Sequence, residues 1–196
     1  MIELQDKAYF LPDKYLEWEA HQEIKHDYIN GEVFAMTGGT VAHGTIAGNV
    51  FSRLKNHFRG GSCRGFVFDV KVGISESGPF HYPDVMVTCD ERDRDARQVI
   101  YHPCLIVEVL SPTTEGYDRG KKFMNYRRID TLREYILISA EEIQIECFRL
   151  NNQGKLELQT YTEGDNFSLE SVNFHCPISE IYEDVVFASV TESAGD

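Results

Sequence analysis

Apolar and polar positions change their period several times along the chain, and each change marks an element. Leu11–His21 has Tyr15, Leu16 and Trp18 on one side and reads as a short helix. His26–Ile29 and Glu32–Met36 flank Asn30-Gly31, a pair suited to the type I′ turn of a hairpin. Thr37-Gly38-Gly39-Thr40 interrupts the pattern and can cap a helix over Val41–Phe58, whose core stripe is Ile46, Val50, Leu54 and Phe58. Arg64–Ile74 alternates, with Phe66, Phe68, Val70 and Val72 on one face, as a half-buried strand does. After a turn within Gly73–Gly78, His81–Cys89 is a returning strand, and the polar loop Asp90–Arg97 separates it from a strand over Val99–Ser111. A helix follows Ser111-Pro112 and runs to about Ile129, and Glu134–Ile138 returns to the sheet. Ile143–Leu150 and Lys155–Thr162, joined by Asn151-Asn152-Gln153-Gly154, form a second hairpin, with a further strand around Phe167 and Phe174. Ala188–Asp196 reads as a disordered acidic tail. This order predicts an α/β (α+β) sandwich built on a mixed sheet flanked by helices, one domain over residues 1–187 with an N-terminal hairpin and a C-terminal β extension.

Within that frame the run Leu105-Ile106-Val107-Glu108-Val109-Leu110 is apolar enough to be covered on both faces, and an ionised Glu108 there is costly unless compensated. A buried salt bridge, hydrogen bonds or a metal ion could each compensate it. Asp84 favours the metal. Strand alternation puts Asp84, Met86 and Thr88 on one face and Ile106, Glu108 and Leu110 on one face of the next strand, so neighbouring strands would bring two carboxylates together. Two acids that close repel unless a cation such as Mg²⁺ or Mn²⁺ lies between them. On the following helix Asp118, Lys122 and Tyr126 share a face, whereas Lys121 turns roughly 100° away. Paired carboxylates, a lysine and a metal point to phosphodiester hydrolysis.

Composition adjusts this picture in three ways. The net charge of −13 opposes non-specific attraction to nucleic acid, but residues 141–196 hold twelve acids against Arg149 and Lys155, leaving only −3 for residues 1–140. Five dispersed cysteines without a Cys-x-x-Cys pair read as free buried thiols, and the seven histidines show no metal-ligand spacing. No apolar run is long enough to span a membrane and Met1–Asp6 lacks the character of a signal peptide, so a soluble cytoplasmic protein is expected.

The order Pro83-Asp84, then Glu108-Val109-Leu110, resembles the restriction-endonuclease-like superfamily with its PD-(D/E)xK signature. More closely, His26-Asp27-Tyr28-Ile29-Asn30-Gly31-Glu32, His43, Tyr82-Pro83-Asp84, Glu108-Val109-Leu110-Ser111-Pro112 and Asp118-Arg119-Gly120-Lys121-Lys122 with Tyr126 resemble the Uma-two family of endonucleases, over about residues 10–185. The resemblance implies Asp84 and Glu108 as metal ligands, with the Val109 carbonyl as a third. It also implies Lys122 as the catalytic cation, because Leu110 stands where the signature has lysine. Glu32 would reach the metal directly or through water, while His43, Asp118 and Tyr126 would stand behind the ligands. Nucleic acid, with DNA foremost, is the implied substrate. A homodimer is expected from the strand edges of the second hairpin. Two other readings fit the same residues: a nuclease fold that has lost turnover and binds a partner, and a glycosidase using the two carboxylates without metal.

Overall fold

The structure is a computed structural model that describes residues 2–3, 9–36 and 38–188. Thr37, most of Met1–Asp6 and, apart from Ala188, the acidic tail lie outside the described residues. In chain order the elements are β1 (Ile2–Glu3), α1 (Pro12–Glu19), β2 (His26–Ile29), β3 (Glu32–Ala35), α2 (Val41–His57), β4 (Arg64–Val67), β5 (Lys71–Gly73), β6 (Phe80–His81), β7 (Val85–Thr88), β8 (Val99–Ile100) and β9 (Leu105–Leu110). Helix α3 follows, α-helical over Glu115–Tyr117, π-helical over Asp118–Lys122 and α-helical again over Phe123–Tyr126. Then come β10 (Glu134–Ser139), β11 (Gln144–Leu150), β12 (Leu156–Thr162), β13 (Asn166–Leu169), β14 (Phe174–Pro177) and the single turn α4 (Ile178–Ile181).

The fold is the mixed α+β architecture expected, with the strands divided between sheets. One six-stranded sheet has the order β1-β3-β2-β6-β5-β8, a second has β12-β11-β10-β9-β7-β4, and β13 pairs with β14. The second sheet is mixed because β9 and β10 run parallel across the α3 crossover while its other pairs are antiparallel. Both of its faces are covered, which explains the unbroken apolar run in β9. Helix α2 buries Ile46, Ala47, Val50 and Leu54 against Val85, Val107 and Val109 on one face. Tyr126 and Ile129, at and just beyond the end of α3, pack with Met86, Ile106, Leu110 and Leu137 on the other. Truncating Leu54 to alanine would cost about 2–5 kcal/mol. The β2–β3 turn has Asn30 at φ 50° and Gly31 at φ 94°, both left-handed as a type I′ turn requires.

Five expectations need correction, the first being that the strand expected over Val99–Ser111 is divided between β8 in the first sheet and β9 in the second. The strand expected over Arg64–Ile74 is two strands in different sheets: the chain turns a corner at Phe68, which sits at φ 56° and donates its N–H to the Asp84 carbonyl at 3.1 Å. Phe66, Val70 and Val72 do share one cluster, but Phe68 is exposed. His81–Cys89 is likewise divided, with β6 in the first sheet and β7 in the second, because Pro83 has no N–H to continue a ladder. Helix α3 ends at Tyr126, and tighter turns bonding Arg128 to Asn125 and Ile129 to Tyr126 carry the chain on to Ile129. Finally, Cys63 and Cys89 form a disulfide and are not free thiols. Arg64 pairs with Thr88, so one step outward the same register places Cys63 opposite Cys89, with Cα atoms 4.0 Å apart. Cys104, Cys147 and Cys176 remain free.

Candidate active site

The division of His81–Cys89 leaves Asp84 in the corner between the two sheets, at the mouth of β7. Val85 pairs with Val107 of β9, so the next step outward sets Asp84 opposite Glu108. Asp84 Oδ2 accepts the Val109 N–H at 2.7 Å and is 3.1 Å from His43 Nε2. His43 is held by its place on the first turn of α2, where the Thr40 hydroxyl caps the helix by accepting the His43 N–H. Burial works to lower the His43 pKa, but the hydrogen bond and charge of Asp84 outweigh it and leave the imidazole above its ordinary value.

Glu108 projects from β9 toward α3, between Ile106 and Leu110. Its Oε1 accepts from Lys122 Nζ at 3.0 Å and from the Tyr126 hydroxyl at 2.8 Å. Lys122 Nζ is also 3.2 Å from Asp118 Oδ1, so the ammonium pairs with both carboxyls. The π-helical turn spanning Asp118–Lys122 carries both side chains inward, and Lys121 points to solvent. Gly120 at its centre, a poor α-helix former, is the trace of this turn in the sequence.

Electrostatically the centre is strained by its own acids. Burial pushes the Glu108 carboxyl well above its ordinary range; the Lys122 ammonium opposes this, and Asp118 and Asp84 reinforce it. Asp118 is raised for the same reason, burial first. Burial would lower Lys122, but Glu108, Asp27, Asp118 and Asp84 together hold it well above its ordinary value, so it stays charged. One cation therefore faces several buried carboxyls.

Asp27, His43, Asp84, Glu108, Asp118 and Lys122 line one cavity of about 80 Å³, with Val109 and Tyr117 beside them. That volume accommodates an ion with a few waters, a water's share being about 30 Å³. Glu32, exposed at the start of β3, is not part of this lining. Among the described residues no group of three or more His, Cys, Asp or Glu side chains forms a ready-made metal cage. The donor set nonetheless suits Mg²⁺, which is commonly held by one or two carboxylates while water and substrate phosphate complete its shell. The Asp118 carboxyl is a further acceptor on the same wall.

Asp27 did not stand out in the sequence as a site residue. It is fully buried on β2, where its carboxylate accepts from Tyr82 N–H and Tyr117 hydroxyl at 3.1 Å each and meets His81 Nδ1 at 2.9 Å. Burial alone would raise its pKa, but His81, the Lys122 charge and the Tyr82 N–H bring it below the ordinary carboxylate value. Its signal was a carboxylate within the short hairpin strand His26–Ile29, on the face opposite His26 and Tyr28.

A protein-family model described as "Uma2: Putative restriction endonuclease" matches residues 12–179. Two proteins of Synechocystis sp. are similar over most of their length. "Uncharacterized protein slr1290" is 39% identical over 176 residues, covering 90% of this chain and 93% of its own. "Uncharacterized protein sll1609" is 31% identical over 163 residues, covering 80% and 89%. Among solved structures, "a putative nuclease belonging to DUF820" from Anabaena variabilis superposes with a TM-score of 0.72 at 16% identity, covering 88% of this chain and 97% of that one. At that identity the likeness concerns the fold. No helix of the described residues is long and apolar enough to cross a membrane.

Proposed function

Because the chain belongs to the Uma2 family of restriction-endonuclease-like proteins, we propose that it is a divalent-metal-dependent endonuclease hydrolysing phosphodiester bonds of nucleic acid, DNA foremost. The observation that carries this reading is the convergence of Asp84, Glu108 and Lys122 in one buried cavity. In the proposed site Asp84 and Glu108 hold Mg²⁺ or Mn²⁺, with the Val109 carbonyl as a third ligand. The ion would supply Lewis acidity at the scissile phosphate and a lowered pKa for water. Lys122, fixed by Glu108 and Asp118, stabilises the negative charge that develops on the phosphoryl oxygens. His43 fixes the rotamer of Asp84, and Tyr126 fixes that of Glu108. Glu32, being outside the cavity lining, would act on the ion through water.

The position of Lys122 favours this enzyme over a turnover-dead binding module. Leu110 occupies the lysine position of the superfamily signature, yet a lysine side chain from α3 reaches the same carboxylate at 3.0 Å. The Lys122 ammonium paired with Glu108 also disfavours a metal-free acid–base pair of the glycosidase kind. The protein would act as a cytoplasmic homodimer joined at β12, one of the two edge strands of its sheet. The antiparallel register that pairs all seven β12 residues with a second copy also sets Lys155 opposite the partner's Glu163 at both ends. The functional test is a cleavage screen on single-stranded, duplex and branched DNA and RNA with and without Mg²⁺. Metal-dependent cleavage by the wild type, absent from Asp84→Asn, supports the reading; cleavage that survives Asp84→Asn and chelation refutes it.

A further inference from the structure

Phe68 combines a bulky side chain with a left-handed backbone. Its φ of 56° lies in a region that such residues rarely adopt, and here the conformation leaves the ring 39% exposed. The ring lies roughly parallel to the His43 imidazole, 6.3 Å between centroids and 26° between planes, and His43 is bonded to Asp84. Phe68 therefore forms a ledge one side chain removed from the carboxylate centre. A cavity of about 340 Å³ opens beneath it, within the ~300–1,000 Å³ range of small-ligand sites. This cavity adjoins the catalytic one, since Met36, Gly38, Gly39, His43 and Asp84 line both. Its walls carry apolar surface from Ile24, which is 54% exposed, Met36, Tyr82 and Pro83. Lys25 stands at the rim, 4.0 Å from Asp69.

Resting on the nuclease reading, we propose that this groove is a nucleobase subsite, in which Phe68 stacks against an unpaired base next to the scissile phosphate. The substrate is accordingly single-stranded, or has that nucleotide turned out of its duplex. Two features argue for a base. The groove offers an aromatic face and apolar walls where a phosphate track would need several cations, and every base has a π-face to stack. The chain's charge of −13 also removes the usual source of duplex affinity, the release of counterions by many lysine and arginine contacts. Stacking beside a metal-held phosphate needs few such contacts. Bases inside a duplex cannot reach the ledge without leaving the stack.

The test compares Mg²⁺-dependent cleavage of a single-stranded DNA oligonucleotide and its duplex by wild type, Phe68→Trp and Phe68→Gly. Wild type and Phe68→Trp are expected to prefer the single strand by tenfold or more in kcat/KM. Phe68→Gly should raise KM for the single strand by about ten- to a hundredfold with kcat retained. Its melting temperature should stay the same or rise, because glycine adopts this φ freely. A loss of affinity with no loss of stability cannot come from misfolding. Cleavage by the wild type with KM unchanged in Phe68→Gly, or a preference for duplex, overturns the subsite and leaves the nuclease reading standing. Failure of the wild type to cleave either form in any divalent metal overturns both.

Discussion

Replacing Lys122 by methionine keeps the length and apolar stem of the side chain and removes its charge, so it isolates the cation's part in the centre. Lys122 is 5% exposed, with its ammonium 3.0 Å from Glu108 and 3.2 Å from Asp118. Breaking a buried ion pair by deleting one partner costs about 3–5 kcal/mol, because the other charge stays buried. In a domain of this size 1 kcal/mol moves the melting temperature by about 2–4 °C, so a fall of roughly 6–20 °C is expected in chelator. The pH dependence has a definite sign. Glu108 and Asp118 have folded-state pKa values above their ordinary ones, so their contribution to stability is present below the ordinary carboxylate range and is lost as pH rises. Without Lys122 to oppose that loss, the deficit of Lys122→Met should be larger at pH 8 than at pH 5. Millimolar Mg²⁺ should restore part of it, since an ion at one hundred times its Kd stabilises the native state by about 2.7 kcal/mol. Turnover should still fall by about 10²–10³-fold. Thermal and urea unfolding at both pH values, with and without Mg²⁺, measure these effects. A deficit below about 1 kcal/mol, or one that is equal at pH 5 and pH 8, would refute the claim that Lys122 holds the buried carboxyls together.

Three further outcomes follow from particular contacts. Lys121→Met should leave kcat intact and make the salt dependence of substrate binding shallower, because Lys121 faces solvent; a loss of turnover would move the catalytic role to it. Cys63→Ser should destabilise the protein by about 2–4 kcal/mol in non-reducing buffer and abolish the effect of dithiothreitol on its melting temperature. If dithiothreitol does not change the wild type, the Cys63–Cys89 bond is not formed. Lys155→Glu should dissociate the homodimer by light scattering and Lys155→Glu with Glu163→Lys should restore it; a wild type that is monomeric at micromolar concentration rules the β12 interface out.

The sequence was most legible where one period ran unbroken. The stripe Ile46, Val50, Leu54 on α2, the fully buried β9 and the Asn30-Gly31 turn all follow from local pattern and turn chemistry. The pairing of β7 with β9, and hence of Asp84 with Glu108, followed from alternation once the two strands were neighbours. The corners were not legible. Alternation over Arg64–Ile74 survives at Phe66, Val70 and Val72, so nothing in the pattern marks the turn at Phe68, which is stabilised by a backbone bond to the distant Asp84. The Cys63–Cys89 bond depends on the β4–β7 register, which residue spacing cannot supply. Asp27 joins the cavity only because the first sheet folds against the second, bringing β2 to α3 through Tyr117. The α-helical spacing of Asp118, Lys122 and Tyr126 placed three partners on one face, and all three are buried there although the backbone between the first two is π-helical.

The central claim is that Asp84 and Glu108 form a divalent-cation site, and calorimetric titration of the folded protein with Mn²⁺ tests it most directly, independently of any substrate. Saturable binding is expected in the wild type, retained by Lys122→Met and lost by both Asp84→Asn and Glu108→Gln while their circular dichroism stays native. Binding of equal strength and stoichiometry in wild type and both carboxylate variants, or no binding by the wild type at millimolar Mn²⁺, would contradict it.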